Sequence, residues 1–202
     1  MRLFVAIRFP TAIAAAASRV LPEALPAVRP VREELLHLTL AFLGETPDER
    51  LGDVTQAIAI ASRAVPPFRV SLAAVGQFPP RRGDAAIFLS IADGAEAAGL
   101  LARSVRAELA RAGLAFDAKP FVAHVTLGRL RAGAAPEQRA AAIAAVGALA
   151  PTALSFVAEQ VEVMRSVLSP PGPRYSALAS ARLGEERRDH AGGVGGAGAR
   201  GA

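Results

Sequence analysis

The sequence predicts an α+β fold: a duplicated, two-lobed unit in which antiparallel sheets line a central groove and helices lie on the outside. Three observations carry this. Runs of period-two alternation and runs of helical spacing follow one another along the chain. Two of the three histidines open the same four-residue word, His37-Leu38-Thr39-Leu40 and His124-Val125-Thr126-Leu127. Each word sits in a strand-like run that is followed by a loop and a helix-like run, so one unit recurs. Outside the words the halves share almost no sequence; the duplication rests on this pattern.

The elements come in the following order. Leu3, Phe4, Val5, Ala6 and Ile7 form an apolar run that reads as a buried strand, ended by Pro10. Thr11 is suited to N-cap an alanine-rich helix over 12–20. Residues 30–34 are a polar approach to a second strand over 35–43, which carries the first word and is ended by Gly44. Thr46-Pro47 reads as a cap followed by proline at the first helical position, with a helix to about residue 64. Alternation over 68–75 predicts a strand, residues 76–84 a turn, and residues 85–92 a strand paired with it as a hairpin. Leu100, Leu101, Val105 and Leu109 place a helix over 95–112, and Gly113 is its C-cap. The second word lies in a strand over 122–129. A helix over 136–148 starts at Pro136. Residues 156–168 read as one long strand region, and residues 174–183 as the last strand after a Pro-Gly turn.

Composition bounds the rest. The chain has 202 residues, 52% of them hydrophobic, which is enough for one folded body over 1–183. Residues 184–202 are rich in glycine and alanine and are expected to be disordered. Lys119 is the one lysine against 22 arginines, a bias of the whole chain that weakens any argument from one arginine. The net charge of +5 belongs to the body and suits a phosphate-bearing partner without demanding one. There is no cysteine, so disulfides and thiolate metal sites are excluded. No secretory signal or bilayer-length apolar run is seen, and a cytoplasmic monomer without membrane contact is expected.

Side chains alternate faces along a strand, so histidine and threonine of each word share one face and the two apolar residues share the other. Two words on facing strands give two imidazoles across one cleft. Such a pair can act as general acid and general base on one substrate. The threonine hydroxyls, Thr39 and Thr126, can donate to phosphate oxygens as charge grows on them. Arg129 can add a charge-assisted contact, but ideal alternation puts it opposite His124, so it reaches the cleft only if the strand twists or ends before it. Phe42, Phe78 and Phe121 lie near the words, where each can stack on a base or pack in the core. No His-Glu-x-x-His word, carboxylate cluster or phosphate loop is present, so no metal or cofactor is expected. His190 lies in the tail and fits no pattern.

With both words placed, the chain resembles the two-histidine (2H) phosphoesterases, and among them the RNA 2′,3′-cyclic phosphodiesterases, also called 2′-5′ RNA ligases. The resemblance runs from Arg2-Leu3-Phe4-Val5-Ala6-Ile7 to about Leu183. It includes the stretch from Glu34 to Glu45 around the first word, Val75-Gly76-Gln77-Phe78-Pro79, Lys119-Pro120-Phe121 with the second word and Gly128-Arg129, and Ser166 through Tyr175. Phe88 and Ala123 depart from it, standing where the family often carries tryptophan and proline. The resemblance implies His37 as proton donor and His124 as proton acceptor; Thr39, Thr126 and Arg129 remain the candidate substrate contacts read from the residues, with no cofactor expected. It implies RNA or a nucleotide ending in a 2′,3′-cyclic phosphate as substrate, opened to a 2′-phosphomonoester, with weak reverse ligation. The residues alone do not order the two histidines. They also leave open another small cyclic phosphate, a 2′-5′ linked oligonucleotide, or an RNA-end-binding module without chemistry.

The tail yields the first prediction. It carries no net charge and no apolar periodicity that would dock on the body. A chain ending near Leu183 should keep its Tm and activity; a fall of several degrees in a thermal melt would show that the tail packs.

Overall fold

The computed structural model describes residues 1–22, 25–78, 85–131, 133–149, 153–170 and 172–184. Most of the expected 76–84 turn and of the expected tail lies outside these residues. Nine strands and four helices are described: β1 (Arg2–Arg8), α1 (Thr11–Ser18), β2 (Val28–Pro30), β3 (His37–Glu45), α2 (Leu51–Arg63), β4 (Phe68–Gln77), β5 (Ala85–Ile91), α3 (Ala95–Arg111), β6 (His124–Leu130), α4 (Pro136–Gly147), β7 (Ser155–Ala158), β8 (Gln160–Val167) and β9 (Arg174–Arg182). The fold is α+β, as the alternation predicts.

Several boundaries move, each for a physical reason. Pro10, not Thr11, is the N-cap of α1, and no side chain caps it. Pro47 precedes a single 3₁₀ turn, Asp48–Arg50, and α2 starts only at Leu51. Gly44 does not end β3; it bends it from within, at a φ of +73°. β4 runs on through Gly76 and Gln77, since both pair with β5. The three-residue strand β2 was not expected, because Pro30 removes a donor from it; it pairs with the far half of β6. Residues 156–168 are two strands. β7 pairs with β4 and β8 with β1, so the chain changes lobes at Glu159.

The strands form one antiparallel path, β7-β4-β5-β6-β3-β1-β8-β9, with β2 beside β6. The two word-bearing strands are central in it. They meet through one registered pair, Leu38 with Val125. Both apolar residues of each word are buried, and one core of buried side chains extends through both lobes. α2 lies against α3, β8 and β9, α3 against β3, and α4 against β4, which leaves the opposite face of the sheet as the groove.

Bulges break the alternation just past each threonine. Against β1, Thr39 pairs with Ala6 and Ala41 with Val5, so Leu40 is the extra residue. Against β5, Thr126 pairs with Phe88 and Gly128 with Ile87, so Leu127 is the extra residue. A bulge reverses the parity of the residues after it. It turns Phe42 and Arg129, each five residues past its histidine, onto the groove face.

Gly128, now on the core face, lies hard against β2 and the residues before it. A Cβ there would come 2.9 Å from Val28 Cγ1 and 3.1 Å from the Arg29 carbonyl oxygen. Gly128→Ala should therefore cost about 1–3 kcal/mol of stability, as overpacking does. A urea midpoint equal to the parent's would contradict this close approach.

Candidate active site

Each histidine is held in the same way. His37 Nδ1 lies 2.6 Å from the Leu35 carbonyl oxygen and His124 Nδ1 lies 2.7 Å from the Val122 carbonyl oxygen. A carbonyl only accepts, so Nδ1 carries the proton in both rings. The neutral tautomer then has its lone pair on Nε2. The antiparallel pair Leu38–Val125 sets the words crosswise: one residue out in either direction, His37 stands beside Thr126 and Thr39 beside His124. All four side chains are half-buried on the groove face.

Aromatic rings fix the imidazoles from the sides. His37 lies 4.8 Å from Phe4 and, edge-on, 5.4 Å from Tyr175, centroid to centroid. His124 meets Phe78 edge-on at 4.8 Å, and Phe78 stacks on Phe88 at 4.3 Å. Phe88 itself is 5.6 Å from His124. Such pairs each stabilise by about 0.5–1.5 kcal/mol beyond area burial and limit ring rotation. Phe4, Ala6 and Met164 form a small buried cluster on the groove face, with Phe42 and Tyr175 packed on it.

Burial lowers the pKa of both histidines. For His37, desolvation is the largest cause; the Leu35 carbonyl opposes it and the nearby His124 adds to it. For His124, desolvation again leads, the Val122 carbonyl opposes it, and the Arg129 guanidinium adds to it. Both rings therefore favour the neutral form near pH 7. A phosphate anion entering the groove pushes both upward.

The bulge thus resolves the parity of Arg129: it is exposed, on the groove side, within electrostatic reach of His124. Of the three phenylalanines near the words, Phe78 contacts His124, and Phe42 underlies the Arg2 guanidinium at 5.1 Å. Phe121 stands beside Arg106 of α3 instead, 5.9 Å from its guanidinium carbon. Phe4, Phe88 and Tyr175 are site residues that reasoning from the words missed. Tyr175 is the chain's one tyrosine, and its place in the closing hairpin was the available signal. Burial raises its pKa, while Arg129 and Arg2 oppose this. At the His37 end of the groove, Glu162 is only 2% exposed and binds Arg8 through two nitrogens and the Gln160 amide at 2.9 Å. Among the described residues no three His, Cys, Asp or Glu side chains converge as metal ligands would.

The chain has counterparts among known proteins. The sequence model of the 2′-5′ RNA ligase superfamily matches residues 9–169, and the chain belongs to that superfamily. It is similar to a protein named RNA 2′,3′-cyclic phosphodiesterase from Thermus thermophilus, 35% identical over 210 residues, covering 96% of this chain and 97% of the relative. A protein of the same name from Archaeoglobus fulgidus is 33% identical over 133 residues, covering 65% of this chain and 73% of the relative. Among solved structures, a Thermus thermophilus protein superposes with a TM-score of 0.74 at 30% identity, covering 92% of this chain and 100% of that one. Apo LigT of E. coli superposes with a TM-score of 0.70 at 28% identity, covering 91% and 98%.

A histidine buried in its neutral form binds protons less readily in the folded chain than in the unfolded one. The unfolded chain then holds more protons between the lowered pKa and about 6.5, so stability rises with pH through that window. The contribution is complete above about pH 6.5 and is lost as the pH falls through the folded-state values. Imidazole resonances of His37 and His124 should titrate below those of an unfolded reference peptide. Denaturant midpoints should fall between pH 7 and pH 5, and less so in His37→Gln. A midpoint above the reference for either ring would overturn this reading.

Proposed function

We propose that the chain hydrolyses 2′,3′-cyclic phosphate ends of RNA or nucleotides to 2′-phosphomonoesters, with His37 and His124 as general acid and base and no metal. The observation that carries the reading is the crosswise setting of two histidine–threonine words, each ring with Nδ1 held by a carbonyl and Nε2 left for chemistry. Water attacks phosphorus in line with the departing 3′ oxygen. His124 Nε2 takes the water's proton as the new P–O bond forms. His37, charged while substrate is bound, gives its Nε2 proton to the 3′ oxygen as that bond breaks. The Arg129 guanidinium beside His124 favours its neutral form, in keeping with the basic role.

Charge grows on the nonbridging phosphate oxygens in the transition state. Thr39 and Thr126 donate to them, and Arg129 adds a cationic donor. With the 5′-hydroxyl of a second RNA end in place of water, the same two proton transfers form a 2′-5′ phosphodiester as the 3′ oxygen leaves, which gives weak 2′-5′ ligation. The names of the curated relatives support the hydrolytic direction. E. coli LigT has been solved with 3′-AMP, a nucleoside phosphate.

Turnover of 2′,3′-cyclic nucleotides and cyclic-phosphate-ended oligonucleotides in excess chelator tests the reading directly. His37→Ala and His124→Ala should each lower kcat by on the order of 10²–10⁴, the usual cost of a lost general acid or base. The double variant should be little worse than either. Thr39→Val and Thr126→Val should each cost about 10- to 10³-fold. The pH–rate profile should be a bell, its limbs belonging to the pair and not to one ring. Activity that vanishes in chelator and returns with zinc or magnesium would remove the two-imidazole mechanism, as would a His variant within threefold of the parent in single turnover.

A further inference from the structure

Arg106 lies on α3, which packs on the opposite side of the sheet from the groove, yet it bonds to the backbone of the first word and of the stretch that leads into the second. Its Nε donates to the Leu40 carbonyl oxygen at 3.2 Å and its Nη1 to the Lys119 carbonyl oxygen at 2.8 Å. Leu40 is the bulged residue directly after Thr39. The guanidinium also stands 6.0 Å from the Phe116 ring and 5.9 Å from the Phe121 ring. Asp117 N–H donates to the Phe42 carbonyl oxygen at 2.8 Å. The 116–121 segment thus runs along the edge of β3 that β6 leaves free beyond Leu38–Val125. Two residues on from Phe121 comes Ala123, and the intervening Val122 supplies the carbonyl that holds His124.

We propose that Arg106 is a positioning residue for the groove chemistry, a splint that sets the second histidine word against the first. One ladder pair fixes a contact point but leaves the angle between two strands soft. A planar fork with diverging donors fixes two carbonyls at once, which a lysine ammonium on a flexible stem does not. Hydrogen bonds from charged donors are the stronger kind, and the one to Leu40 is partly buried. Misplacing a reacting group by about 1 Å can cost on the order of 10²-fold in rate. The inference rests on the hydrolytic reading of the groove, and its test keeps the two apart.

A cavity of about 410 Å³ lined by Gly99, Arg103, Arg106, Phe121 and Ala123 opens beside the splint. It gives small cations a way in when the side chain is removed. Arg106→Ala should lower kcat by about 10- to 100-fold while KM stays within about twofold. Methylguanidinium at tens of millimolar should restore kcat several-fold, and methylammonium should not. His124→Ala should gain nothing from either. In the Arg106→Ala protein the downfield Nδ1–H resonance of His124 should broaden or vanish while that of His37 persists, a readout that needs no turnover. If the alanine variant does not fold, Arg106→Lys and Arg106→Gln take its place, with a loss of kcat at parental Tm expected. Parental kcat together with an unchanged His124 Nδ1–H resonance would overturn the proposal, and so would a rise in KM alone, which belongs to a substrate-binding cation. A parent protein inactive on cyclic phosphates, with the His124 resonance still lost in the variant, would remove the hydrolytic reading and leave the splint standing.

Discussion

The antiparallel contact of β3 and β6 at Leu38 and Val125 is the constraint on which the groove depends. It buries one apolar residue from each word at the seam and thereby turns the flanking histidine and threonine of both words to the other face. Slipping either strand by one residue would bury an imidazole and a hydroxyl and expose two leucines or a valine and a leucine. Fully burying such a side chain stabilises by about 1.5–3 kcal/mol, so a slip forfeits about twice that from the word alone. Core energetics thus hold the chemical groups in place without any of those groups being part of the core.

The same economy governs the imidazoles. Each ring gives one nitrogen to a carbonyl two residues before it and rests against aromatic edges, so its orientation is set by local backbone and packing. Burial then lowers both pKa values, and the difference between the two environments comes from unlike neighbours: a guanidinium beside His124, a phenol beside His37. Symmetric scaffolding with asymmetric surroundings is what a reaction needing one acid and one base requires.

Much of this was legible in the residues. Seven strand-like runs covered eight of the nine described strands in outline, one run spanning both β7 and β8, and the repeated word located both imidazoles and both hydroxyls. What was not legible was irregular. The bulges at Leu40 and Leu127 are set by cross-strand pairing, which no local pattern reveals, so the side on which Arg129 lies stayed open. Residues 156–168 looked like one strand because apolar content continues through them; only their partners, β4 for one half and β1 for the other, divide them at Glu159. Tyr175 and Phe4 enter the site from β9 and β1 by tertiary packing alone. β2 escaped notice because three residues containing a proline carry no strand signal.

The crossing at Glu159 has a consequence for how the chain comes to be folded. β1 is synthesised before the other strands of the sheet, yet it lies between β3 and β8, and β8 is made some 150 residues later. Neither lobe is a continuous stretch of sequence, and the half of the sheet that holds β1 and β3 cannot be completed until β8 and β9 are made. Until Gln160–Val167 emerges, one edge of β1 and the apolar surface that Phe4 and Met164 would share stay open to solvent or to other chains. Pairing between such distant segments is slow by its nature. The nascent protein therefore depends most on protection from aggregation in the interval before β8 and β9 close the sheet.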